Sequence, residues 1–367
     1  MKKITFRKII KATTPYGLIV LYRYIKEKRN QDNCIKIKEP KKIEKDVMLN
    51  WTAITKKTNY DKIDFTDIEF YDNNILENIE ENLLGKVDET NYNKNEMSHE
   101  DRAFLNGIIR KTKPKTIVEI GVSAGGSSCV ILNAIRDMSG AKLYSFDYNT
   151  IWYRDKNDRR INGRKTGFLI NQIVPDFAGK QHLHTGGVPC KYFHVLPETG
   201  VDICFIDTVH ENPGEHLNIL EILPRMRKNG IIIYHDTAYH ISPKRLDGTG
   251  TTNHISVNTL NGKRILLKPR AFIPNIGAII LDENIENMLF PLFANISLPW
   301  LYKITCDDFA EMLKHFLKYY PKDLVQIFVY YYHFYTNDAK KDMESAKKIA
   351  REKTTSWLQG EQSCLTF

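Results

Sequence analysis

The sequence is poor in cysteine, and what it has is not spaced for building structure. Its six cysteines stand at positions 34, 129, 190, 204, 306 and 364, with no C-x-x-C pair. That spacing offers no zinc pattern and no disulfide framework, so a reducing cytoplasm is the expected setting. No apolar run reaches about 18 residues, which argues against a membrane-spanning helix. The N-terminus lacks the uninterrupted apolar core and small-residue cleavage site of a signal peptide. Acids are nearly missing from the first thirty residues. There Glu27 alone opposes Lys2, Lys3, Arg7, Lys8, Lys11, Arg23, Lys26, Lys28 and Arg29. Most of the formal net charge of +9 belongs to that segment. The rest is close to balanced, which excludes a nucleic-acid-binding face on the main body.

What is present fits one substantial core with appendages, in 367 residues. Residues 1–30 interleave basic residues with aliphatic and aromatic ones. They are expected to lie on an anionic membrane surface, the alternative being a helix docked on the protein's own body. Residues 31–95 read as a polar arm with one helix between Phe65 and Leu84, carrying Ile75, Ile79, Leu83 and Leu84 at helical spacing. The expected division is 1–95 for the basic segment and arm, 96–285 for the main domain, and 286–367 for a helical extension.

The main domain is organised around Lys115 to Asp147. A β-branched strand, Thr116 to Ile120, runs into a turn containing Gly121, Gly125 and Gly126. A helix follows from Ser127 through Met138, stopped by Gly140, and a second strand from Lys142 to Phe146 ends at Asp147. This is half of a doubly wound nucleotide-binding unit, with the ligand beyond the strand ends. The dinucleotide fingerprint G-x-G-x-x-G is absent, so a pyrophosphate at the helix start is not the first expectation. Upstream, Ser98-x-x-Asp101 resembles a capping box that opens a helix through Phe104, Leu105, Ile108 and Ile109.

Downstream, strands are expected at 181–184, before Thr185-Gly186, and at 201–206, before Asp207 with His210 three residues on. A helix with Leu217, Leu220 and Leu223 inside is stopped by Asn229-Gly230, and a strand at 231–234 leads into His235-Asp236-Thr237. Two more strands, at 263–267 and 276–281, lack a helix between them and are expected to pair antiparallel. Buried thiols are expected at Cys129 and Cys204. The fold class is therefore α/β, a doubly wound, mostly parallel, seven-stranded Rossmann-like sheet with N-terminal and C-terminal, mainly helical, extensions. The charged stretch Tyr153 to Lys165 reads either as a flap over an acidic or sugar substrate or as a solvated loop. Helices are expected over 309–320, 324–335 and 339–357, and FVYYYHFY among them reads as core rather than as an oligomer contact.

Four pieces in order, VEIGVSAGGSS, SFD, FIDTVH and KNGIIIYHDT, resemble the class I S-adenosylmethionine-dependent methyltransferases. The resemblance is to bacterial small-molecule and sugar O-methyltransferases and spans about residues 97–281. It implies that Glu119, Gly121, Ser123, Gly125 and Ser127 surround the methionine part of the cofactor. It puts Asp147 on the ribose hydroxyls, Thr185 and Gly186 near the adenine, and Asp207 at the cofactor's edge. Methyl transfer to oxygen requires alignment and removal of a hydroxyl proton. His210, His235 and Asp236, at the carboxyl ends of central strands, are the expected catalytic group. In relatives carboxylates at the positions of Asp207 and Asp236 hold a divalent ion, which would make Mg²⁺ a second cofactor. Thr237, where those relatives have an acid or Asn, departs from that pattern. The function implied is O-methylation of a hydroxyl on a saccharide, such as a surface glycan precursor, or on a related metabolite. Cytoplasmic work at the inner membrane face, and a homo-oligomer, complete the expectation. An NAD(P)-dependent oxidoreductase and a non-catalytic scaffold are the alternatives.

Overall fold

The computed structural model describes residues 57–68, 71, 74, 76–77, 97–153, 163–237, 258–267, 275–282, 284–337 and 342–360. The basic segment 1–30, most of the helix expected between Phe65 and Leu84, and the middle of the charged 153–165 stretch lie outside these residues.

Seven strands form one sheet: β1 (Thr116–Ile120), β2 (Lys142–Asp147), β3 (Gln181–Thr185), β4 (Val201–Ile206), β5 (Met226–His235), β6 (Gly262–Leu266) and β7 (Ile276–Leu281). Their order is β3-β2-β1-β4-β5-β7-β6. The first five are parallel, and β7 runs antiparallel between β5 and β6. Every residue of β1, β4 and β7 is buried, which is why these strands read as continuous apolar runs rather than as alternation. The expected fold class is the observed one. Cys129 and Cys204 are both fully buried thiols, as expected.

Helix α1 (His99–Thr112) precedes β1, and its capping box is formed: Ser98 Oγ accepts from the Asp101 amide while Asp101 Oδ2 accepts from the Ser98 amide. Helix α2 (Gly126–Ala134) joins β1 to β2 and ends a turn earlier than expected. A short helix, α3 (Ile170–Ile173), stands before β3. Helix α4 (Gly214–Ile222) joins β4 to β5 and is also shorter than expected. Pro224 cannot donate to a continuing helix, so the chain passes through one tight turn and enters β5 at Met226. Asn229-Gly230 is therefore no helix stop; it lies inside β5. The register slips there, Val201 pairing with Met226 but Ile203 with Ile231. Asn229 takes a φ of 57° at this bulge, and its carbonyl accepts the Thr58 hydroxyl at 2.7 Å.

The C-terminal extension holds α5 (Leu289–Ala294), α6 (Cys306–Tyr319), α7 (Lys322–Thr336) and α8 (Met343–Leu358). The expected aromatic run is core: Phe328, Val329, Tyr330, Tyr332 and His333 are buried. The extension is bonded to α4 from both directions. His216 of α4 meets the Leu292 carbonyl, while His315 and Tyr320 reach back to the carbonyls of Glu221 and Leu220 at 2.7 and 2.6 Å. Residues 42–367 form one compact unit.

Candidate active site

The β1–α2 turn is set by close approach. Gly121 has a φ of 92°, and a Cβ there would stand 1.8 Å from the Asp207 carbonyl oxygen. Only glycine lets the ends of β1 and β4 come together in this way. Ser123 also has a positive φ, 53°, unusual for a residue with a side chain. Three bonds hold it there. Its amide donates to Asp147 Oδ2 at 2.9 Å, its carbonyl accepts the Gly167 amide at 2.9 Å, and its hydroxyl accepts Trp152 Nε1–H at 3.0 Å. Gly125 turns the chain into α2 with a φ of 101°. No side chain caps the N-terminus of α2, so its first amides remain a place for an anionic group.

Asp147 stands at the carboxyl end of β2, but its carboxylate belongs to the turn. It accepts the amides of Val122, Ser123 and Asn149 at 2.9, 2.9 and 2.8 Å. Glu119 is buried beneath the turn and accepts the hydroxyls of Ser127, Ser128 and Ser145 at 2.6, 2.6 and 2.7 Å. Burial pushes its pKa up to about 7, against the pull of those three bonds. Gly186 donates its amide to the Asp147 carbonyl, and Tyr192 Oη donates to the carbonyls of Thr185 and Gly186. Thus Glu119, Gly121, Ser123, Gly125, Ser127, Asp147, Thr185 and Gly186 all lie along the adjoining ends of β1, β2 and β3, bonded largely to one another.

Beside this turn is a cluster of acids and histidines at the ends of β4 and β5. The Asp207 amide donates to the Ile120 carbonyl, which ties the cluster to β1. His210, with a φ of 58°, points Nε2 at Asp236 Oδ2 (2.8 Å) and Asp207 Oδ1 (3.6 Å), and Nδ1 at Glu215 Oε1 (3.2 Å). Burial favours its neutral form, but the bonds to Asp236 and Glu215 prevail, and its pKa rises to about 11. His235 is buried between Asp101 Oδ2 (3.5 Å) and Asp207 Oδ2 (3.3 Å). Its pKa is also raised, the facing acids outweighing burial. Burial opposes the charge on Asp236, yet His210, His235 and the Asn275 amide hold its carboxyl down at about 2.

His210, His235, Asp207 and Asp236 are thus brought together, and both histidines favour the imidazolium form rather than one poised near neutrality. His235 is buried against Asp101 and Asp207. The residues that motif reading missed are Asp101, Glu215, Asn275 and Trp152. Asp101 was accounted for as a cap, and Glu215 carried no signal beyond its place five residues after His210.

Among the described residues, Asp207, His210 and Asp236 each offer one ligand atom, all within 4.8 Å of one another. That spacing suits a cation, but the chemistry of the set does not suit Mg²⁺. One of the three donors is a ring nitrogen, whereas Mg²⁺ prefers oxygen. Ligation would also require His210 to surrender a proton that Asp236 and Glu215 hold in place.

Residues 118–237, about a third of the chain, match the family described as a methyltransferase domain. Over that stretch the chain is similar to methyltransferase domains. Among solved structures it is similar to the O-methyltransferase TomG of Streptomyces achromogenes, with 15% identity, 50% of this chain and 81% of that one covered, and a TM-score of 0.39. The methyltransferase PaMTH1 of Podospora anserina shows 17% identity over 58% and 88%, with a TM-score of 0.40. An O-methyltransferase of Bacillus cereus shows 14% identity over 64% and 99%, with a TM-score of 0.36. No curated protein matches the sequence.

Proposed function

We propose that the protein is an O-methyltransferase acting on a hydroxyl of a saccharide, such as a surface glycan precursor, or of a related small molecule. The observation that carries this reading is the Asp207–His210–Asp236 cluster beside the β1–α2 turn, which joins a cofactor-type turn to a proton-handling group. When bound, S-adenosylmethionine supplies an electrophilic methyl on a positively charged sulfur, which transfers to oxygen with release of S-adenosylhomocysteine.

The chain's residues divide the remaining work. The uncapped α2 amides suit a carboxylate, and the acids at the ends of β4 and β5 suit a cation. Asp147 shapes the turn and contributes any remaining acceptor capacity to the ribose. His210 relaxes its hold on its proton beside a further positive charge, because like charges disfavour the charged form. Both its ring nitrogens face acids, so His210 first releases its Nε2 proton to solvent, then takes the hydroxyl proton on Nε2, and Asp236 holds the imidazolium that forms. His235, fixed by Asp101, orients Asp207. No step in this reading passes through a metal ion. The basic segment 1–30 would hold the enzyme at an anionic membrane surface, near a membrane-assembled glycan precursor.

The test is to incubate the full chain with S-adenosylmethionine and either UDP-glucose or 3,4-dihydroxybenzoate, following S-adenosylhomocysteine and the mass of the acceptor. The expected result is a 14-dalton gain on the sugar nucleotide (about one methylene, the net of methyl for hydrogen), abolished by His210→Ala. A gain on the catechol alone would overturn the saccharide assignment. Calorimetric binding of NAD without binding of S-adenosylhomocysteine would overturn the reading as a whole.

A further inference from the structure

The loop from Asp207 to Gly214 carries His210 in a left-handed conformation that a residue with a Cβ adopts only when held there. From within the domain, Glu215 holds it by accepting the His210 amide and by facing its Nδ1 at 3.2 Å. From the other side, the hold comes from the C-terminal extension. Asn212, buried within the loop, donates its side-chain amide to the carbonyls of Leu298 and Pro299 at 2.8 and 3.2 Å. In return, the Leu301 amide donates to the Asn212 carbonyl at 2.8 Å.

That receiving segment is itself fixed. Trp300 is buried, donates Nε1–H to the Ile296 carbonyl at 2.9 Å, and stacks on Tyr335 of α7 at 5.2 Å. Gly214 closes the contact: a Cβ there would lie 2.4 Å from Val209 Cγ2 and 3.0 Å from Tyr302 Oη. The loop bearing His210 is therefore bonded on one side to α4 and on the other to residues 298–302.

We propose that Asn212 is a positioning residue for His210, and that residues 298–302 clamp the catalytic loop. The C-terminal extension then belongs to the catalytic machinery rather than being an appendage. This rests on the reading of His210 as part of the proton-taking unit. Its consequence is large because a displacement of about 1 Å in a reacting group can cost on the order of a hundredfold in rate.

Asn212→Ala removes the clamp. Asn212→Asp keeps its shape but offers no N–H to the two carbonyls, so it serves if the alanine variant folds poorly. Three measurements are made on the full-length chain: hydrogen–deuterium exchange of the 207–214 peptide, long-range ¹H–¹⁵N spectra of the histidine rings, and calorimetry with S-adenosylhomocysteine. The expected result is tenfold or faster exchange in 207–214 and displaced His210 ring signals, with the His216 and His315 rings unmoved and S-adenosylhomocysteine affinity within twofold of the parent. Unchanged loop exchange and an unmoved His210 ring in Asn212→Asp would overturn the clamp. So would movement of all three rings together with loss of affinity, since that would show a merely structural role. Failure of the functional reading looks different: the parent chain itself would not bind S-adenosylhomocysteine.

Discussion

Trp152 Nε1 donates to Ser123 Oγ at 3.0 Å, so the base of the charged 153–165 excursion is bonded to the β1–α2 turn. Trp152 is almost fully buried, and Arg164 lies over its ring at 4.6 Å and over Phe168 at 4.5 Å. Trp152→Phe retains most of the buried ring but leaves Ser123 without this donor. The net worth of one such bond is about 1 kcal/mol. The expected outcome is a roughly fivefold weaker affinity for S-adenosylhomocysteine, with a melting temperature lowered by only a few degrees. Calorimetry that finds affinity unchanged would show that the bond does not support the turn's binding form.

Acid should loosen the extension before it affects the cluster. Burial lowers the pKa of His216, His315 and His333 to about 4. The unfolded chain, with histidines near 6.5, binds these protons first. The stability these neutral rings contribute is therefore complete above pH 6.5 and is lost as pH falls from 6.5 through 4, by roughly 3 kcal/mol for each fully buried ring. His210 has the opposite sign. Its pKa is raised to about 11, so its contribution is complete below 6.5 and declines as pH rises toward 11. Burial raises the Glu119 and Glu221 carboxyls to about 7, so they add stability over the same fall in pH and offset the histidines. The measurable quantity is therefore a difference: between pH 7 and 5 the urea midpoint of His315→Gln should lose less than that of the parent. Equal pH slopes in the parent and in His315→Gln would contradict the assignment.

The turn and the strand ends were legible because their signals are local. Gly121 and Gly125 stand where positive φ is required, and the buried strands show as apolar runs. Ser98-x-x-Asp101 forms the capping box it resembles. What stayed hidden depends on long-range contact. Asn229-Gly230 has the composition of a helix stop, yet the chain uses it as a bulge in β5 against Thr58. The two central histidines looked suited to titrate near neutrality, but their environment is set by Asp101 and Glu215, which motif spacing does not pair with them. The role of the extension was illegible for the same reason, since Asn212 and Leu298 are 86 residues apart.

Chelation should leave the enzyme working. The two histidines already provide the positive charge that a cation would bring to Asp207 and Asp236, and Asn275 occupies part of Asp236. Removal of divalent ions with EDTA is expected to change S-adenosylhomocysteine formation by less than twofold. Loss of turnover that Mg²⁺ restores would show that the ion displaces the proton from His210, and would return Asp207 and Asp236 to a ligand role.

Asp101 connects helix formation to the site and allows the two to be separated. Its Oδ2 accepts the Ser98 hydroxyl at 2.8 Å and faces His235 Nε2 at 3.5 Å, while His235 Nδ1 faces Asp207 at 3.3 Å. Ser98→Ala removes the N-cap and should cost about 1 kcal/mol of stability. Asp101→Asn should cost a similar amount, because an amide replaces the box carboxylate. The two differ at His235. Without the acid behind it, the His235 imidazolium is less favoured, and a neutral ring no longer holds Asp207 by charge. Turnover should therefore fall at least tenfold in Asp101→Asn but by less than threefold in Ser98→Ala at equal stability. The His235 ring signals should move in the first variant alone. If both variants lose turnover in proportion to stability, Asp101 is a cap and nothing more, and Asp207 must be oriented by the β4 backbone.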